Sequence, residues 1–252
     1  MGNEIEAQFL DINKDEVRKR LKKVGAKLVK PEVLMKRVVF DLGSHEYARV
    51  RDEGGGKIVM TYKNVSDEKS IMGTKEVNVV IDDYENGIML LKACGLRPKS
   101  EEESYRETWM LGEVEICIDT WPWIPTFAEI EGPSEESVWE TAEKLGFDKT
   151  KAKFGSVDST YQHYYGIDTD VFNFETPKVT FEMEPPEWAK KYWGWIFWPP
   201  DLITYINIQY DCNFVIFKLF LNCVVDILID FLAVFGFKIN DDIEIEYFIF
   251  SV

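Results

Sequence analysis

In a β-strand, residues i and i+2 leave the backbone on the same side, and this chain uses that rule to separate charge from apolar bulk. Glu4 and Glu6 share one face of the first strand-like run, while Ile5, Ala7 and Phe9 share the other. Arg49 and Arg51 repeat the pattern with guanidiniums in Tyr47–Asp52, and Glu129 and Glu131 repeat it with carboxylates in Phe127–Gly132. Lys57 and Lys63 lie on one face of the run ending Thr61-Tyr62-Lys63, and Arg37, Lys75 and Arg106 place bases on further strands. A lone pair of this kind reads as a solvated face whose charges pair across strands for about 1 kcal/mol or less. Several strands, each with one sign of charge, need something else: like charges side by side repel unless a counter-ion lies between them. Carboxylate pairs suit a hard divalent cation, and guanidinium pairs suit phosphate oxygens through forked bonds. A closed antiparallel sheet with its charged face inward and helices over its apolar outer face would bring both sets to one ligand.

The rest of the pattern fits an α+β domain. After the first strand, Asn13 caps a helix over Lys14–Val24 that stops at Gly25. Strands follow near Met35–Leu42, Tyr47–Asp52, Lys57–Asn64 and Thr74–Ile81. A second helix covers Tyr84–Cys94, and three more strands fit Ser104–Leu111, Glu113–Thr120 and Thr126–Gly132. Ser134 opens a third helix ending at Gly146, and a short helix fits Ser156–Tyr165. Gly54-Gly55-Gly56 has no GK[ST] and no helix behind it, so it reads as a hairpin turn and not as a phosphate loop.

With 252 residues, 46% of them hydrophobic, the chain can bury a substantial core. A formal charge of −16 argues against nucleic acid as the partner; a small polyanion remains compatible if the bases converge. No basic run followed by an apolar run opens the sequence, so a cytoplasmic location is expected. Cys94, Cys117, Cys212 and Cys223 form no CxxC pair and read as reduced thiols. With His45 and His163 as the only histidines and no GxSxG elbow, histidine-based hydrolysis has little support.

The combination Glu4-Ile5-Glu6, Ala48-Arg49-Val50-Arg51, Thr61-Tyr62-Lys63, Tyr105-Arg106-Glu107-Thr108-Trp109 and Glu129-Ile130-Glu131 resembles the CYTH superfamily, the triphosphate tunnel metalloenzymes, over roughly residues 3 to 165. The resemblance implies a closed eight-stranded antiparallel tunnel, Mg²⁺ or Mn²⁺, and a small-molecule triphosphate held along the bore. It makes Glu4, Glu6, Glu129 and Glu131 metal ligands. Arg37, Arg49, Arg51, Lys63 and Arg106, with Lys57 and Lys75 beside them, become the phosphate-holding set. Glu4, Glu6, Gln8 and Arg106 are the positions nearest the chemistry. Glu76 and Glu115 either complete the acidic set or face outward. Tyr161 and His163, on a segment that could close one mouth, read as ordinary helix residues. The chain departs from the pattern at Gln8, where the ExExK strand has lysine, and at Ser104 and Tyr105, where members commonly carry a lysine before the arginine.

Three activities follow from the resemblance: hydrolysis of inorganic, thiamine or nucleoside triphosphate; cyclic AMP formation from ATP, as in class IV adenylyl cyclase; or non-catalytic sensing of polyphosphate or nucleotide. Residues 1–191 form the expected tunnel domain. From Tyr192 the composition changes, with two lysines and no arginine among many Phe, Ile, Asp, Asn and Tyr. Within Phe214–Phe235, Lys218, Asn222, Asp226 and Asp230 recur every four residues, and Trp193, Trp195 and Trp198 resemble an interfacial belt. Three readings of this hydrophobic extension stand side by side: membrane contact, packing on a partner or a second copy as in a homodimer, or an altered reading frame.

Overall fold

The computed structural model describes residues 2–190, apart from 44, 68 and 69. The expectations placed on the extension and on its boundary lie outside the described residues. Among the described residues no helix is long and apolar enough to cross a membrane.

The elements are β1 (Gly2–Glu4), β2 (Glu6–Phe9), α1 (Lys14–Lys23), β3 (Lys27–Gly43), β4 (Glu46–Asp52), β5 (Ile58–Val65), β6 (Thr74–Ile81), α2 (Tyr84–Ala93), β7 (Arg97–Leu111), β8 (Val114–Thr120), β9 (Phe127–Glu131), α3 (Glu135–Lys144), α4 (Val157–Tyr165), α5 (Thr169–Glu175) and β10 (Lys178–Val179). They build a curled, mainly antiparallel sheet in the order β1-β6-β5-β4-β3-β7-β8-β9-β2. Its first and last members are consecutive in the chain, separated only by Ile5. One N-terminal segment therefore pairs with β6 through its first half and with β9 through its second. Counted as one strand, β1 and β2 make eight antiparallel strands with the rest, and β10 adds a short parallel pairing to β7.

The outer face carries the core. Ala7 and Phe9 of β2, Ile116 and Ile118 of β8 and Ile130 of β9 pack under Val17 and Leu21 of α1 and Val138 and Ala142 of α3. Asn13 starts α1 by accepting from the amides of Asp15 and Glu16, and Ser134 starts α3 in a capping box with Ser137. Elsewhere Val38, Phe40, Ala48 and Val50 pack on Ile88 of α2. Gly54, Gly55 and Gly56 all have positive φ, of 74°, 66° and 85°, and form the β4–β5 turn. A Cβ on Gly54 would also stand 2.4 Å from a Val33 methyl, so glycine is required there on both counts.

Strands β3 and β7 are longer than the alternation indicated. Lys27–Val33 is largely exposed and its pairing with β7 slips in register around Lys30. These charged stretches, with Pro31 and Pro98, carry no period-two signal, although their backbones still join the ladder. β8 pairs with β7 only as far back as Tyr105, and β10 takes up the exposed edge at Glu101 and Glu102.

Since Ile130 is fully buried between the sheet and its helices, Ile130→Ala should lower unfolding free energy by about 2–5 kcal/mol in urea titrations.

Candidate functional site

The inward face encloses a cavity of about 950 Å³. Its lining includes the expected acids Glu4, Glu6, Glu129 and Glu131, together with Gln8, and also Glu76 and Glu115, whose facing had been open. It includes the expected bases Arg37, Arg49, Arg51, Lys57, Lys63 and Arg106. Lys75 is not brought there: it alternates with inward Glu76 on β6 and its side chain is exposed. Lys57 sits at the rim, its Nζ 3.0 Å from Glu53. Tyr161 is a core residue whose hydroxyl donates to the Pro122 carbonyl at 2.6 Å, and His163 packs edge-on against Tyr164.

The acids occupy one wall. In the pairing of β2, β9 and β8, Glu6 stands opposite Glu131 and Glu131 opposite Glu115, a row of three carboxylates across three adjacent strands. Burial and the Glu129 charge push Glu6 well above the usual carboxylate range, against the pull of Lys63. Burial, Glu129 and Glu115 raise Glu131 in the same way. Beside the row, Lys63 Nζ donates to Glu4 at 2.7 Å and lies 3.4 Å from Glu76. Burial nevertheless lifts Glu4 to about 7. Burial would raise Glu76 too, but a hydrogen bond with Glu4 and the Lys63 and Arg49 charges prevail and hold it at about 2.

The bases form the opposing chemistry on β3 and β4. Arg37 and Arg51 are direct cross-strand partners, and Arg49 follows on the same face of β4. Like charges so placed cost stability. The Nε atoms of Arg37, Arg49 and Arg51 are buried without a hydrogen-bond partner. Arg37 lies over the Trp121 ring at 4.4 Å and donates to Ser104; burial and the neighbouring arginines depress it to about 9. Burial, Arg49 and Arg106 bring Arg51 to about 10, although its Nη2 donates to Glu53.

Arg106 differs from these. It forks onto Asp119 at 2.7 and 2.6 Å and reaches Glu129 at 3.0 Å, so its charge is already matched within the protein. The reading of Arg106 beside the arginines of β4 missed Asp119, although Glu115, Cys117 and Asp119 share one strand face and the same i, i+2 rule identifies it. Glu53 and Glu102 were also missed. Glu53 lies past the alternating run, where the chain turns, and Glu102 lies in the charged half of β7.

Buried arginine without a hydrogen-bonded counter-ion opposes folding. Arg49→Met should therefore raise the stability of the ligand-free protein by about 1 kcal/mol or more, while removing any stabilisation by added tripolyphosphate in thermal unfolding. The raised carboxyl of Glu4 sets the sign of a pH effect: its contribution is complete below about 4.5 and is lost as pH rises through about 7. Urea midpoints of the ligand-free chain should fall from pH 5 to pH 8, and Glu4→Gln should flatten that fall.

Among curated proteins, none matches the chain. The PH1012 protein of Pyrococcus horikoshii is 24% identical with a TM-score of 0.53, over 60% of this chain and 94% of its own. A candidate adenylate cyclase from Vibrio parahaemolyticus is 13% identical with a TM-score of 0.56, over 64% and 98%. Likeness at these identities shows a shared fold. The model of the CYTH domain matches residues 2–165, the span that carries the curled sheet and both charged walls, and the chain belongs to the CYTH domain family.

Proposed function

We propose that the cavity binds a triphosphate together with a divalent cation and hydrolyses it, the curled sheet serving as a closed tunnel around the ligand. One observation carries this reading: three arginines whose buried Nε atoms have no partner share a cavity with a row of three glutamates, Glu6 buried and Glu115 and Glu131 half-buried. Among the described residues Arg37 and Arg49 form no ion pair and Arg51 meets only Glu53, so a metal-bound polyphosphate supplies the missing charge to both walls. That the N-terminal segment pairs at both ends of the sheet order supports closure.

The donor chemistry suits Mg²⁺ or Mn²⁺, since the acids offer oxygen alone and repel one another until a cation arrives. No three Asp, Glu, His or Cys side chains among the described residues stand close enough together to hold a metal ion as they are, so Glu4, Glu6, Glu129 and Glu131 would draw inward on loading. Bound there, the cation would polarise phosphate oxygens and supply an acidified water. Arg37, Arg49 and Arg51 orient the phosphate oxygens through forked bonds and take up charge as the terminal phosphoryl group transfers in line to water. Arg106, pinned by Asp119, holds Glu129 in the acid wall. Glu53, pulled down to about 2 despite its burial by Arg51 and Lys57, stays ionised and competes with a phosphate for Arg51.

The cyclase reading has its own support. Trp121, Phe172 and Phe174 line part of the same cavity, and of the three Phe174 is exposed and presents its ring to a nucleobase. The Vibrio neighbour's description points the same way.

Phosphate, pyrophosphate and cyclic AMP released from tripolyphosphate, thiamine triphosphate and ATP with Mg²⁺ or Mn²⁺ separate the readings. Orthophosphate should dominate, and Arg49→Ala should lower kcat/KM by about 10²–10³. Cyclic AMP as the main product would replace hydrolysis with cyclisation. Tight binding without turnover would make the protein a sensor.

A further inference from the structure

Gln8 stands where the resemblance expects lysine, and it is 3% exposed. Both polar atoms of its amide have partners. Nε2 donates to Glu129 Oε2 at 3.3 Å and to the Gly155 carbonyl at 3.1 Å, and Oε1 accepts from the Thr160 hydroxyl at 3.3 Å. Two acceptors at one end and a hydroxyl at the other fix which way the amide points. The Gln8 backbone exchanges two more bonds with Lys153, each of 2.9 Å. One residue of β2 thus touches an acid of the cavity wall on one side and, on the other, the segment leading into α4. That segment belongs to the cavity, which Gly155, Ser156, Val157 and Asp158 line.

We infer that Gln8 is a positioning residue: through a single amide it sets Glu129 in the acid wall and seats the segment from Lys153 into α4, so that cation binding and the order of that segment are coupled. The coupling rests on the reading of the acids as cation ligands; the seating rests on the hydrogen bonds alone. An ammonium at this position would donate to Glu129, to Gly155 and to the Thr160 oxygen, but it would leave the Thr160 hydroxyl proton, in a residue 2% exposed, without the acceptor that Gln8 supplies. A carboxamide serves all three partners. The same bond that steadies Glu129 therefore reports on the segment.

Gln8→Met keeps the length of the side chain without its polar atoms, and Thr160→Val removes only the hydroxyl that Gln8 accepts from. In the full chain, Mn²⁺ alone is titrated by calorimetry, and amide hydrogen exchange is followed across Lys153–Tyr165. Gln8→Met should raise the Mn²⁺ Kd roughly tenfold, the scale of losing a partner that orients a metal ligand, and Thr160→Val should raise it in the same direction. Both should speed exchange in the segment, and Mn²⁺ should slow exchange in the wild type but not in Gln8→Met. An unchanged Kd in Thr160→Val overturns the coupling, and unchanged exchange in Gln8→Met overturns the seating. A wild type that binds no Mn²⁺ overturns the coupling together with the metal reading of the acids; faster exchange in Gln8→Met then shows that the seating survives.

Discussion

Repulsion between like charges held in a cavity is the constraint on which the rest of this structure depends. Arg37 faces Arg51 across a strand pair, Glu6 faces Glu131, and Glu131 faces Glu115. In water such pairs would cost little, but the interior screens charge less and the penalty grows. None of this charge helps the chain to fold. Stability is supplied from the other side of the same strands, where alternate residues pack under α1, α2 and α3. The period of two that places the charges inward also places Ile116, Ile118 and Ile130 outward, so one sequence rule builds both the strain and its support.

Some inward charge is balanced within the protein and some is not, and the division is informative. Asp119 and Glu129 satisfy Arg106, and Lys63 bridges Glu4 and Glu76. These groups form a scaffold between the walls. Arg37, Arg49 and Arg51 keep unpaired Nε atoms, and Arg49 makes no hydrogen bond or ion pair with any described residue. What the fold leaves unmatched on one wall is positive and on the other negative, the complement of a polyanion carrying a cation.

The alternation made most of this legible in advance. Each charged pair on a strand with an apolar opposite face came to the cavity, since a one-residue slip would bury charge in the outer core and expose its isoleucines. Lys75 failed because Glu76, its neighbour, took the inward place on β6. The long ends of β3 and β7 were illegible for a related reason: they are charged on both faces, so their pairing is dictated by neighbouring backbone and not by burial. β10 owes its place to the edge that β8 leaves on β7, a contact between distant segments that no local pattern encodes. The role of Gln8 was hidden likewise, because Gly155 and Thr160 lie far along the chain.

The most direct test of the central claim is a crystal structure of the protein soaked with tripolyphosphate and Mn²⁺. Phosphate oxygens should lie within hydrogen-bond distance of the Arg37, Arg49 and Arg51 guanidiniums, and Mn²⁺ on carboxylates of the Glu4, Glu6, Glu129 and Glu131 set. Tripolyphosphate found only outside the cavity, with those arginines still unmatched, would contradict that claim.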